Sequence, residues 1–209
     1  GNIKKILSFI YLKEQDFEKG WDYFDGRLNL SDFVEKNKTI NLLRNKIIKG
    51  NNFNKDDSIL ILREQGIGDE ILYGTMYEDA LNTWKNAIIE CDKRLLNIFQ
   101  NSYKKYKDRF INLGTISENE EKIKRYKHVV YAGSLGKYFR RTNKDFTQKL
   151  FLKPNDNLVK HSKEELDKFK KEYNIGISWK SQKNRYANEK SLELVDLINV
   201  FNTKNCNFI

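Results

Sequence analysis

The stretch Ser58-Ile59-Leu60-Ile61-Leu62, bounded by Asp56-Asp57 and Arg63-Glu64 and followed at once by Gly66-Ile67-Gly68, constrains this chain more than any other feature. It is too short for a buried helix and has no polar face, so it predicts a strand covered on both sides, as in a parallel sheet. The spacing of Ile71, Leu72, Met76, Ala80 and Leu81 then predicts a helix over 69–84. The unit is strand, glycine turn, helix. The alternation repeats through a strand at Ala87-Ile88-Ile89, a helix over 93–99, a strand at Phe110-Ile111-Asn112-Leu113 and a strand at His128-Val129-Val130-Tyr131. Strands alternating with helices imply an α/β fold with a doubly wound parallel sheet.

Before this unit, Ile3, Ile6, Leu7, Ile10 and Tyr11, then Phe17, Trp21, Phe24 and Leu28, recur at helical spacing across the polar break Lys13-Glu14-Gln15-Asp16. They predict a short helical hairpin. Such a hairpin cannot bury its apolar face alone, which is how one unit of a helical repeat looks. Residues 31–55 are polar, with a helix expected around 39–48 and Gly50-Asn51-Asn52 at its end. After Pro154 a charged helix is expected over 162–173 and a buried strand at Ile175-Gly176-Ile177-Ser178-Trp179. An amphipathic helix over 192–201 and the opening of a strand at Asn207-Phe208-Ile209 follow. The expected organisation is a helical segment and linker over 1–55, a first α/β domain over 56–150, a linker and helix over 151–173, and part of a second α/β domain over 174–209.

The chain of 209 residues carries 39 basic and 29 acidic side chains, a formal net charge of +10. Such a balance suits nucleic acid, an anionic membrane surface or a phosphorylated small molecule. Because Lys is over-used together with Asn and Ile and is scattered along the chain, the excess reads as compositional bias, and no nucleic-acid partner is expected. Tyr103-Lys104-Lys105-Tyr106-Lys107 interleaves aromatics with bases as a single-strand groove would, but the same spacing makes an amphipathic, solvated face. Only Cys91 and Cys206 are present, too far apart in sequence to suggest a disulfide framework. No window reaches the ~18 apolar residues of a spanning helix. A cytoplasmic location is expected. His128 and His161 are remote from each other in sequence, and no metal is expected.

Chemistry concentrates in Arg63-Glu64-Gln65-Gly66-Ile67-Gly68-Asp69-Glu70, at the carboxyl end of the first strand. Ligands of open α/β sheets bind there, where glycines admit a close backbone approach and a helix N-terminus offers free N–H groups. As a dinucleotide fingerprint the stretch is incomplete. Ile71 stands where a third glycine belongs, although Glu90 could serve as the ribose acid of a nicotinamide-dependent oxidoreductase. The helix macrodipole favours a carboxylate at Asp69 for capping alone. The same position suits a general base within reach of an acceptor hydroxyl.

The order of several stretches also resembles a known family. Leu62-Arg63-Glu64-Gln65-Gly66-Ile67-Gly68-Asp69-Glu70-Ile71-Leu72 and Ile89-Glu90-Cys91-Asp92-Lys93-Arg94-Leu95 resemble the start of the glycosyltransferase-like region of bacterial tetratricopeptide-repeat proteins. That region is related to the ADP-heptose:lipopolysaccharide heptosyltransferases of glycosyltransferase family 9. Phe17-Glu18-Lys19-Gly20-Trp21-Asp22-Tyr23-Phe24-Asp25-Gly26-Arg27 resembles the last repeat before it, Gly133-Ser134-Leu135 a loop of its first domain, and Ile175-Gly176-Ile177-Ser178-Trp179-Lys180 the first strand of its second. The resemblance implies a GT-B architecture. Two Rossmann-like domains then face a cleft, with the acceptor mainly on the first, a nucleotide-diphosphate sugar mainly on the second, and no metal. It implies Asp69 as catalytic base, Gly66, Gly68 and Ser134 at the ligand, and Ser178, Lys180 and, more loosely, Lys190 and Arg185 at the donor diphosphate. The sugar would be of hexosyl or heptosyl type, and the acceptor a glycan, a lipid-linked sugar or a protein. A GT-B enzyme needs a whole second domain, whereas residues 174–209 supply one strand, one helix and a strand opening, so sugar transfer by this chain is expected to be poor. The rival expectation is a non-catalytic interaction module whose N-terminal helices bind a protein.

Overall fold

The structure, a computed structural model, describes residues 2–36, 40–48, 50, 53–114, 120–147, 149–169, 171–181 and 188–209. The chain divides after Pro154 into two units, Gly1–Pro154 and Asn155–Ile209.

The first unit is α/β. Strands β1 (Ser58–Leu62), β2 (Asn86–Glu90), β3 (Phe110–Ile111) and β4 (His128–Tyr131) form one parallel sheet in the order β3-β2-β1-β4. Side chains of β1 alternate between two cores. Ile59 and Ile61 face helices α5 (Ile67–Gly74), α6 (Tyr77–Thr83) and α7 (Lys93–Ser102), whereas Leu60 and Leu62 face Leu28, Ile40, Leu43 and Ile123. The four apolar side chains of β1, Ile59 to Leu62, are fully buried, each contributing roughly 1.5–3 kcal/mol of transfer free energy. Cover on both faces explains why β1 is apolar without alternation. A parallel sheet so arranged is compatible with a Rossmann-like fold.

The helix expected over 69–84 is divided into α5 and α6. Tyr103 Oη donates to the Gly74 carbonyl (2.7 Å) and Arg140 Nη2 to the Thr75 carbonyl (2.8 Å), so these carbonyls are taken by side chains. The third strand stops after Ile111 because the Asn112 side chain folds back, donating to the Cys91 carbonyl at 2.6 Å and accepting from Gly114 N at 3.2 Å. Beyond α4 (Ile40–Leu43), Lys46 and Ile48 bond to Val129, so a short extended piece covers the outer side of β4. Thr39, Asn51 and Asn52 of the expected helix and its end lie outside the described residues.

Helices α1 (Asn2–Lys13) and α2 (Phe17–Phe24) pack on one another through Gly20 against Leu12 and the stacked rings of Tyr11 and Tyr23, 5.5 Å apart. A 3-10 turn, Asp25–Asn29, then leads to α3 (Ser31–Lys36). Ile3, Ile6, Phe9 and Ile10 of α1 remain exposed. Helix α8 (Glu120–Lys124) adds Ile123 to the core that holds Leu28, and α9 (Gly136–Phe139) rests against the Trp21 indole of α2.

In the second unit, helix α10 covers Asp156–Leu166 instead of 162–173, because Asn155 after Pro154 caps it by accepting from the backbone N–H groups of Asn157 and Leu158. Strand β5 is Tyr173–Ile175, paired in parallel with β6 (Cys206–Phe208). It starts earlier than expected, and the ladder runs on through Ile177 N to the Ile209 carbonyl. The helix expected over 192–201 is a 3-10 turn, Leu194–Leu197, followed by α11 (Ile198–Phe201). Among the described residues no helix is long and apolar enough to cross a membrane.

Gly136 has no room for a side chain, since a Cβ there would overlap the Trp21 indole, whereas Gly68 has open space. Gly136→Ala is expected to cost about 1–3 kcal/mol in chemical denaturation. Gly68→Ala, in the first turn of α5, is expected to gain up to about 1 kcal/mol.

Candidate active site

Because the strands are parallel, all four carboxyl ends lie on one edge of the sheet. The strand order reverses between β1 and β4, which puts the expected crevice at the ends of these two strands. Gln65 turns the chain out of β1 in a left-handed conformation (φ 64°), which a non-glycine residue adopts only at some cost. Its side-chain amide donates to Tyr73 Oη (3.2 Å). Gly66 follows in extended conformation as the N-cap of α5, and Asp69 reaches back so that its Oδ2 accepts from Gly66 N at 3.1 Å. Asp69 is half-buried and Gly68 exposed. The two glycines and the candidate base are therefore one turn of backbone.

A cluster that sequence reasoning missed fills the β1/β4 end of the crevice. Arg27, from the 3-10 turn after α2, is 2% exposed and donates from Nε to Glu64 Oε2 (2.8 Å) and from Nη2 to Glu64 Oε1 (2.6 Å). Nη2 also reaches Ser134 Oγ (3.0 Å), which in turn donates to Asp25 Oδ1 (2.6 Å). Gly133 N donates to Glu64 Oε1, and a Cβ at Gly133 would collide with that carboxylate. Burial alone would lower the Arg27 guanidinium, but the charge and hydrogen bonds of Glu64 raise it above its ordinary value. Ser134, expected at the ligand, thus spends its hydroxyl inside this network. The one signal of the cluster in the sequence is a glutamate two residues past the apolar run Ile59-Leu60-Ile61-Leu62, since a buried carboxylate needs a cation.

A second polar cluster joins the ends of β1 and β2. Glu90 is fully buried. Its Oε2 accepts from Arg63 N at 3.2 Å, and its Oε1 lies 3.1 Å from Arg63 Nε. Burial, opposed by Arg63, pushes its carboxyl up to about 7. Arg63 also donates to Asp92 Oδ2 (2.8 Å), and buried Glu70 accepts from Asp92 N (2.8 Å). Hydrogen bonds from Arg94 hold Asp92 well below the usual carboxylate range. Glu90 is therefore turned into the protein, not toward a ribose, and Ile71 packs against the core. Both observations weigh against dinucleotide binding.

The remaining candidates belong to the second unit. Ser178 and Lys180 are exposed, with Lys180 Nζ 3.7 Å from Glu193 Oε1. Lys190 ends the 3-10 turn Asn188–Lys190. Leu192 N donates to the Trp179 carbonyl and Ser181 N to Ser191 Oγ, which brings the arms carrying Lys180 and Lys190 side by side. Arg185 lies outside the described residues. His128 Nε2 meets Asp57 Oδ2 at 2.9 Å, and His161 is exposed on α10. Among the described residues no group of His, Cys, Asp and Glu could hold a metal ion. Two shallow depressions, of about 250 and 150 Å³, share Glu78 and Tyr103 and lie away from the glycine turn. No family model, curated protein or solved structure matches this chain, so the family resemblance rests on the order of its motifs.

Replacing Arg27 with Met leaves Glu64 buried without its cation and is expected to cost about 3–5 kcal/mol by denaturation, part of which Arg27→Met/Glu64→Gln restores. Glu90 predicts a pH dependence. Because burial raises its carboxyl from 4.5 to about 7 in the folded protein, the folded state keeps a proton across that window after the unfolded chain has lost it. This contribution therefore falls as pH rises from about 4.5 to about 7, and Glu90→Gln is expected to flatten the fall in denaturation measured at several pH values.

Proposed function

We propose that this chain is a glycosyltransferase-like protein of GT-B type. Its first unit takes the acceptor side, and Ser178, Lys180 and Lys190 of its second take the diphosphate of a nucleotide-sugar. The observation that carries the reading is that neither Gly66 nor Gly68 is required by the fold. Neither has a positive φ, a Cβ at Gly66 would meet only Asp69 Oδ2 at an ordinary 3.6 Å, and a Cβ at Gly68 would meet nothing within 4 Å. Two unforced glycines at a helix N-terminus beside a carboxylate suit a ligand that approaches the backbone closely. In this reading Asp69 accepts the proton of an acceptor hydroxyl as that oxygen bonds to the anomeric carbon. The bond from that carbon to the diphosphate breaks, and lysine ammonium groups meet the leaving oxygens.

One observation favours the rival reading, a non-catalytic interaction module. The crevice between β1 and β4 is filled from within by Arg27, and Ser134 is committed to it.

Titration of the chain with nucleoside diphosphates and nucleotide-sugars separates the two. Under the proposal Lys180→Ala weakens donor binding at least tenfold. Asp69→Asn leaves donor binding intact, but lowers any sugar release by about 100-fold or more. Gly68→Ala lowers transfer while the fold stays as stable or gains. Absence of nucleotide binding at millimolar concentration, or turnover that survives both Asp69→Asn and Lys180→Ala, overturns the proposal in favour of the interaction module.

A further inference from the structure

The four strands are parallel, so their beginnings share the edge of the sheet opposite the glycine turn; Lys85, Arg109 and Lys127 directly precede β2, β3 and β4, and Lys55 stands three positions before β1, across Asp56 and Asp57. Contacts between these lead-in segments knit them into one surface. Lys85 N donates to the Lys55 carbonyl, Lys85 Nζ pairs with Asp56 at 3.0 Å, and Lys127 Nζ pairs with Asp57 at 2.8 Å. Asp56 and Asp57 are thereby matched. The excess positive charge comes from the 3-10 turn Lys104–Arg109, where Lys104, Lys105 and Lys107 are all exposed, and Asp108 is the one acid. Lys104, Lys105 and Lys153 line the larger depression, of about 250 Å³, opposite Glu78, which itself pairs with Lys149 at 3.4 Å.

We propose that this edge is a docking surface for the anionic phospholipid headgroups of a bilayer, with the depression beside Lys104, Lys105 and Lys153 taking one headgroup phosphate. Charge complementarity with an anionic sheet of lipid carries the choice of partner, and the aromatic residues exclude the nearest competitor. A single-stranded nucleic acid groove needs rings open for stacking. Here Tyr103 is buried with its hydroxyl on the Gly74 carbonyl, and Tyr106 ties its hydroxyl to Asn82 and lies under Lys105 and Arg109. The free cations are lysines, point charges that answer to charge density more than to the forked geometry of a particular base or peptide carboxylate. Each lysine near an anionic membrane surface strengthens binding roughly fivefold, an attraction that salt screens.

Cosedimentation of the whole chain with phosphatidylcholine vesicles, with and without phosphatidylglycerol, tests the proposal. Binding is expected only with the anionic lipid and is expected to be lost at high salt. The triple variant Lys104→Gln, Lys105→Gln, Lys107→Gln is expected to weaken binding about a hundredfold. A control with the same change in net charge, Lys160→Gln, Lys163→Gln, Lys168→Gln, is expected to bind almost as the parent does. Equal loss in both variants assigns the binding to net charge alone and overturns the proposal. So does binding to neutral vesicles, no vesicle binding at all, or a single-stranded RNA oligomer that displaces the vesicles at lower concentration than they bind.

Discussion

The bidentate pair between Arg27 and Glu64 is the interaction on which the first unit turns. Glu64 is buried just past a strand whose four apolar side chains are all buried, so its charge leaves water when the sheet forms. Only a cation delivered from elsewhere can make that tolerable. The 3-10 turn after α2 delivers it, and with it come Asp25, Ser134 and the backbone of Gly133. The helical segment is therefore not an appendage to the sheet. It closes the very crevice that a bare sheet of this strand order would leave open, and it fixes the residue from which the strained turn at Gln65 departs. Whatever ligand the first unit takes must approach from the side of Gly66 and Gly68, because the β4 side is already occupied by protein.

Strands announced themselves wherever burial on both faces left no room for polarity, as in Ile59-Leu60-Ile61-Leu62 and Val129-Val130. The α/β class and the positions of three of the four strands were legible for that reason. Decisions made by side chains from distant parts of the chain were not. The break between α5 and α6 depends on Tyr103 and Arg140 capturing two carbonyls, and no local propensity in 69–84 marks it. The second unit was read less well, because Cys206 is its one buried hydrophobic residue among those described, so burial leaves little mark on its sequence pattern. At the site, Gly66, Gly68 and Asp69 were legible as a strand, turn and helix start. Arg27 was not, being one of 39 basic residues whose partners lie 37 and 107 positions away.

Charge in the first unit is sorted by strand direction. Carboxylates gather where strands end, in Glu64, Glu90 and Asp92, each answered by an arginine, whereas lysines gather where strands begin. A parallel sheet makes this sorting possible, because every strand presents the same end to the same edge. The net charge of +10 is thus a poor description of the molecule at close range. An anion would meet different surfaces at its two edges, and burial, not composition, decides which cations are already spent.

The separation of Arg27 from Ser134 also sets an order of events during synthesis. Glu64 follows Arg27 by 37 residues, but Ser134, which completes the network, follows it by 107. At a synthesis rate of about 5–20 residues per second, the N-terminal helices wait roughly 5–20 s between the appearance of Arg27 and that of its last partner. Until Ser134 arrives the network around Arg27 is incomplete, so the nascent chain passes through a stage in which this segment is open to chaperones or other chains. The finished fold then withdraws Arg27 from that exchange.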